Sequence, residues 1–280
     1  MKKLVRLIRT SSVVALGIGV VPLFACNDAM RSEAIQSEAV TSTAETEYGG
    51  ETTRIWDQAF AEAQLRPEQR PEVDKLRSEY NARHEPVRAA KRELMSAVAA
   101  QIETGKIDRC ALASQSNEVA SAMAQARPAD RAALERLHEI MDPDQRAKFV
   151  DALRRGWEAR ERARAPRAMA EKVEKALNLT PDQKEKLERI FTGLREVRDA
   201  QPAKAENRER WRRMLDAFKT DRFVIDGAAP MGDVAAQTRE KVEFRLWAGE
   251  AVVPVLNAEQ RRTLAERIRE KASAHDTEGG

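Results

Sequence analysis

The sequence predicts an all-α protein, and three observations carry that prediction. Aromatic residues make up 5% and charged residues 34% of the 280 residues, with 12 Gly and 11 Pro, so helix formers dominate and turns are few. Beyond the N-terminus no Val/Ile/Leu run is long enough for a buried parallel strand, the nearest being Ala251–Leu256. A hexapeptide with the chemistry of a helix start occurs four times along the chain.

The N-terminus precedes these helices. MKKLVRLIR is a positive n-region, and Ser11 to Phe24 is an apolar stretch shorter than the ~20 residues of a spanning helix. Residues 1–25 therefore read as an export signal. Leu23-Phe24-Ala25-Cys26 closes it and resembles a bacterial lipobox, which implies cleavage before Cys26 and a diacylglycerol on its thiol. The alternative is an ordinary signal cut after Ala25 that leaves Cys26 as a plain N-terminal thiol. Residues 26–53 are Ser/Thr/Glu-rich, poor in bulky apolar side chains and end near Gly49-Gly50, the composition of a disordered tether. The formal charge of +3 divides unevenly: four cations precede Cys26, residues 27–53 carry a net −5, and the helical remainder about +4. That mild basic bias is well short of a nucleic-acid footprint.

The hexapeptides are Leu65-Arg66-Pro67-Glu68-Gln69-Arg70, Met141-Asp142-Pro143-Asp144-Gln145-Arg146, Leu179-Thr180-Pro181-Asp182-Gln183-Lys184 and Leu256-Asn257-Ala258-Glu259-Gln260-Arg261. Asp142, Thr180 and Asn257 each offer a side-chain oxygen to free backbone N–H groups. Proline, where present, stands at the first helical position, and an acid follows at the positive end of the helix dipole. Gln69, Gln145, Gln183 and Gln260 lie three residues after the cap, placed to close a capping box. Arg66 cannot accept a hydrogen bond, so the first start should be the weakest.

The intervals match: 76 residues from Leu65 to Met141 and 77 from Leu179 to Leu256. Each leading residue is followed eight positions later by an apolar one, Val73, Phe149, Leu187 and Leu264. The chain thus reads as two tandem units, residues 54–165 and 166–272, followed by a short polar tail at 273–280. A period this long marks a duplicated domain rather than a solenoid. Helical periodicity links Val73, Leu76, Tyr80, Val87, Leu94, Val98 and Ile102 in the first unit. In the second it links Leu187, Ile190, Leu194 and Val197, then Trp211, Met214, Leu215 and Phe218. Pro86 should kink the first stripe or begin a new helix. Further helices are expected at Ala111–Ala126, Ala129–Ile140, Val234–Trp247 and Asn257–Lys271. Loops are expected at Glu103–Asp108 and Thr220–Gly232, and Arg154–Arg167 reads as a basic connector. Cys110 reads either as a small buried hydrophobe or as the thiol of an intermolecular disulfide.

These hexapeptides resemble the LTxxQ-motif family of periplasmic proteins typified by Spy and CpxP. Leu179, Thr180 and Gln183 match the motif in full, and Leu256, Asn257 and Gln260 supply its closing copy. The first unit is a looser copy, with Arg66 and Asp142 in place of the motif threonine after Leu65 and Met141. The resemblance implies two tandem, thin, curved four-helix units with amphipathic helices, paired either within one chain or as a homodimer. It also implies an ATP-independent holdase for unfolded or stress-damaged envelope proteins, held in the periplasm on a bacterial membrane through lipidated Cys26. A second function is open on the same resemblance: a stress-signalling adaptor acting on the periplasmic domain of a sensor kinase, or a metal-responsive sensor or resistance protein.

Enzymatic signatures are missing from the sequence. There is no GxSxG, CxxC, GxxxxGK[ST] or HExxH, and the three histidines do not cluster. The expectation is therefore no catalysis, no cofactor, no metal site and no nucleic-acid partner. His84, beside the Tyr80–Val87 stripe, reads as a core-edge residue rather than a ligand. Trp211, Arg212 and Arg213, with Trp157, are candidate client contacts, because a basic surface flecked with aromatics can hold partly unfolded chains loosely. The competing reading is a solvated basic face with Trp211 on the packing seam.

Overall fold

The computed structural model describes residues 46–200 and 202–274; the signal segment, Cys26 and the tail from residue 275 lie outside the described residues. The first half contributes α1 (Thr46–Ala63), α2 (Arg70–Thr104), α3 (Ala113–Ile140) and α4 (Pro143–Ala163). The second contributes α5 (Pro166–Leu177), α6 (Pro181–Ala200), α7 (Pro202–Phe218), the single-turn α8 (Ile225–Ala228), α9 (Val234–Val252) and α10 (Ala258–Ala274), with a 3-10 turn at Val253–Val255. No strand occurs among the described residues, so the all-α fold class holds. The two halves repeat one plan: α1 corresponds to α5, α2 to α6 and α7 together, α3 to α9, and α4 to α10.

Several boundaries differ from the sequence reading. α1 begins at Thr46, so residues 46–53, assigned above to the tether, are helical. Pro86 does not begin a new helix, since α2 runs through it, and Pro128 lies inside a single α3 where two helices were expected. In α2 the proline leaves the Ala82 carbonyl without its helical donor, and the buried His84 and Val87 anchor the chain on either side; Arg88 Nη2 donates to the neighbouring Asn81 carbonyl at 2.7 Å. Around Pro128 the buried Ala126 and Arg131 hold α3 in register. Tertiary packing overrides the local breaker in both places. The basic stretch after Arg154 is the last part of α4, and the chain turns only at Arg164–Ala165.

Two stripe residues lie outside the core. Tyr80 and Val197 are exposed; the Tyr80 ring stacks on His84 at 4.0 Å. His84 itself is buried, with Nε2 2.9 Å from Asp130 on α3, a structural contact between two helices. Cys110 is exposed in the α2–α3 turn, where Asp108 accepts its backbone N–H, so the buried-hydrophobe reading does not hold. Gly105 ends α2 at φ 86°, a left-handed cap that favours glycine.

The apolar interior consists of two clusters, and neither belongs to one half. The first gathers Ile55, Ala59 and Ala63 of α1, Val73 and Leu76 of α2, and Phe149, Val150 and Leu153 of α4. It is completed by Met214, Leu215 and Phe218 of α7 and by Phe223, Ile225 and Ala229 beyond it. The second gathers α5, α6, α9 and α10 around Leu187, Leu246 and Leu264, and is completed from the first half by Leu94, Ala99, Ile102, Ile107, Leu112 and Val119. α2, with 35 residues at about 1.5 Å each, is long enough to reach both. The hairpin tip of each half thus packs against the motif end of the other. Burial of this kind, at roughly 25 cal/mol per Å² of apolar surface, makes the two halves mutually dependent.

The α1/α4 cluster is the more aromatic of the two. Trp56, Phe60, Phe149 and Phe218 form a chain of rings with successive centroids 5.1–6.2 Å apart. Gly156 lets α1 approach α4: a Cβ there would lie 2.7 Å from Ile55 Cγ2 and 3.0 Å from Cγ1.

Candidate functional site

Three of the four hexapeptides close full capping boxes. Gln145 N donates to Asp142 Oδ1 at 3.1 Å, while the Asp142 N–H returns a bond to Gln145 Oε1 at 3.2 Å. Thr180 and Gln183 exchange the same two bonds at 3.3 and 3.0 Å, and Asn257 and Gln260 at 2.9 and 3.0 Å. The first copy closes half a box. The Arg66 N–H donates to Gln69 Oε1 at 2.8 Å, but Arg66 offers no acceptor in return, and residues 67–69 form a turn before α2 starts at Arg70. Instead the Arg66 guanidinium reaches Asp142, the cap of the second copy, at 2.6 Å.

The glutamines have a second task that the linear pattern does not reveal. Gln69 and Gln145 face each other and exchange both amide bonds, Nε2 to Oε1, at 2.8 and 2.9 Å. Each also donates its other proton across the pair, Gln69 to the Ile140 carbonyl at 2.6 Å and Gln145 to the Gln64 carbonyl at 3.2 Å. In the second half Gln183 and Gln260 exchange bonds at 2.8 and 3.0 Å, with Gln183 donating to the Val255 carbonyl at 2.8 Å and Gln260 to that of Leu177 at 3.4 Å.

Every donor and acceptor of these four side chains is used: two acceptor bonds and two donor bonds each. Gln69, Gln145 and Gln260 are buried, where an unmade bond would cost about 1–3 kcal/mol. A glutamate could not serve, since it has no amide donors and would bring buried negative charge against its partner. An asparagine is a methylene too short to reach both its own cap and the opposite motif. The motif glutamine therefore clasps two helix starts together.

Two further motif positions share this geometry. The residue before each opening motif, Gln64 or Asn178, has a positive φ of 54° or 49°, which turns the chain sharply into the cap. The leading Met141, Leu179 and Leu256 are buried, and Leu65 is partly so. The basic sixth residue was visible in the sequence, but its role was not. Arg146 and Arg261 each donate to the carbonyl of their own leading residue at 3.2 Å. They also meet the tip of the opposite half, Arg146 through Asp221 at 3.0 Å and Arg261 beside Gly105.

Polar latches missed by the sequence reading hold those tips. On α3, Arg131 donates to the Ala229 carbonyl at 2.8 Å and pairs with Asp226. Glu135 accepts the Ile225 N–H at 3.0 Å, and His138 Nε2 lies 2.8 Å from the Thr220 carbonyl. At the other end Arg269 of α10 holds Glu103 of α2 through two bonds, at 2.6 and 2.9 Å, which keep the Glu103 carboxyl below its usual range. A buried Arg or His on an otherwise apolar helix face was the available signal, but its partners lie more than 80 residues away.

The four candidate contact residues fall on two helices. Trp157 of α4 and Trp211 of α7 pack edge to face, ring centroids 5.8 Å apart, and the Arg160 guanidinium stands 4.7 Å over the Trp157 ring. Both tryptophans are half-buried. Trp157 Nε1 is covered yet has no hydrogen-bond partner. Arg212 and Arg213 are exposed on the outer face of α7, both facing Glu209 at 3.8–3.9 Å. The tryptophans thus meet on the seam and the arginines do not join them there. Among the described residues no group of three or more His, Cys, Asp or Glu is arranged to hold a metal ion, and no helix is long and apolar enough to cross a membrane.

A family model described as "LTXXQ motif family protein" matches the chain twice, over residues 52–153 and 167–267. No curated protein and no solved structure matches it.

Proposed function

Since the chain belongs to the LTXXQ motif family, the periplasmic family typified by Spy and CpxP, we propose that it is a non-enzymatic, ATP-independent holdase for unfolded or partly folded envelope proteins. The observation that carries this reading is the exchange of hairpin tips between halves. It gives one chain the paired arrangement of two family units, with long amphipathic helices left to meet clients. The half-buried Trp157–Trp211 pair, with Arg160 over the Trp157 ring, supplies an apolar edge, and Arg212 and Arg213 place cations on the exposed outer face of the same α7. Such a surface holds chains by partial apolar burial and steers acidic segments toward it. Lipidated Cys26 tethers this body to the membrane.

Purified protein lacking the signal segment, without ATP, should suppress light scattering of a heat-unfolding client at near-stoichiometric ratio. Replacing both Trp157 and Trp211 by alanine should raise the required ratio several-fold. No suppression at several-fold molar excess would overturn the proposal. Anchoring is checked separately by labelled palmitate, which should be incorporated by the wild type and not by Cys26→Ser.

A further inference from the structure

The two opening motifs share a backbone but differ in what surrounds them. In the first half a cleft of about 270 Å³ opens between the end of α1 and the first turns of α2. Phe60, Leu65 and Val73 line it with apolar surface, and Arg70, Asp74 and Arg77 line it with charge. Arg77 is already engaged, paired with Asp57 and lying over the Phe60 ring at 5.8 Å. Glu68 is likewise neutralised by Arg66 at 2.8 Å. The Arg70 side chain is exposed and forms no ion pair or hydrogen bond with another described residue, and neither does the Asp74 side chain one helical turn away.

The second half closes the equivalent place. With the motifs aligned, Leu65 on Leu179, Phe60 is replaced by Glu174, Arg70 by Lys184 and Arg77 by Phe191. Lys184 pairs with Glu174 at 2.6 Å, and Phe191 is buried. An internal carboxylate therefore satisfies the cation in one half, while in the other an aromatic floor leaves the cation open.

We propose that this cleft binds a polypeptide C-terminus: an apolar last side chain on Phe60, Leu65 and Val73, with its carboxylate on Arg70 as Glu174 sits on Lys184. Arg and carboxylate form strong paired hydrogen bonds, and the positive end of α2 favours the same charge. Asp74 accepts the last amide N–H of the ligand. The volume lies just below the usual range for small-molecule pockets, which suits one side chain and its carboxylate rather than a long acyl chain. The cleft shares no lining residue with the Trp157–Trp211 seam, and peptide binding is read without any client, so failure here and failure of the holdase proposal are distinguishable.

The test is fluorescence anisotropy on the wild-type protein with a fluorescein-labelled peptide ending in Ala-Leu-Phe, as free acid and as amide, and with decanoate as competitor. The free acid should bind about tenfold tighter than the amide. Arg70→Gln and Phe60→Glu should both bring it to the level of the amide without changing the circular dichroism spectrum. Phe60→Glu rebuilds the plug of the second half; should it not fold, Arg70→Gln, at an exposed position, decides alone. Equal binding of acid and amide, wild-type binding by Arg70→Gln, or no saturation up to about 1 mM peptide would each overturn the proposal. So would decanoate binding that depends on Arg70 when the peptide does not bind.

Discussion

The two clasps are the same device built with different caps. In the second half Thr180 and Asn257 cap their own helices and Gln183 joins Gln260. In the first half Arg66 has no capping oxygen, yet Gln69 still meets Gln145 with the same reciprocal bonds, and Arg66 spends its charge on Asp142 instead. The cap residue is thus exchangeable and the glutamine is not, because only the glutamine serves both its own helix and the opposite one. The cores differ as well, aromatic around α1 and α4, largely aliphatic around α5 and α10, yet each is finished by the hairpin tip of the other half.

That mutual completion makes the largest prediction. Residues 46–165 or 166–274 produced alone should show no cooperative thermal unfolding, and mixing the two should restore it. An isolated half that melts cooperatively would show that the shared cores are dispensable. Next come the glutamines. Gln145→Glu removes two donors and buries a charge against Gln69, at a cost of about 3–4 kcal/mol in urea unfolding at neutral pH. Burial raises the folded pKa of the new carboxyl above its unfolded value, so the lost stability should return as pH falls below that folded pKa. Gln260→Glu should behave alike if the clasps are equivalent; a much smaller effect there would separate them.

Gly156→Ala probes the aromatic side alone. Its methyl meets the branched root of Ile55, so about 2 kcal/mol of destabilisation is expected by the same measurement, relieved by Ile55→Ala in the double variant. The caps come last. Thr180→Ala should cost about 1 kcal/mol, whereas Arg66→Ala, which removes only exposed ion pairs, should cost less than about 0.5 kcal/mol. Arg66→Thr should be neutral or stabilising, since it completes the missing box at the loss of the Asp142 pair. A cost for Arg66→Ala equal to that of Thr180→Ala would mean the arginine holds the clasp in its own right.

Local chemistry was legible wherever a residue acts within its own turn of chain. The Asp142, Thr180 and Asn257 caps, the weak Arg66 start, the duplicated plan and the helical class all follow from side chains placed next to the backbone groups they satisfy. The same local logic broke α3 at Pro128 and allowed a break at Pro86, where packing against neighbouring helices carries each helix through the proline, and it misjudged Tyr80 and Cys110, whose exposure depends on what packs nearby.

Taken alone, the sequence determined the helices, their starts, the tandem repeat and the family, because hydrogen bonds over three or four residues and the apolar period need no distant partner. Only the tertiary structure decided that the glutamines clasp in pairs, that Arg131, His138 and Arg146 latch the far hairpin, that the tips are exchanged between halves, and that Arg70 stands open where Lys184 is plugged. Apart from the Lys184–Glu174 pair, those contacts join residues some 70 to 170 positions apart, and a one-dimensional pattern carries no record of which distant surface a buried polar group will meet.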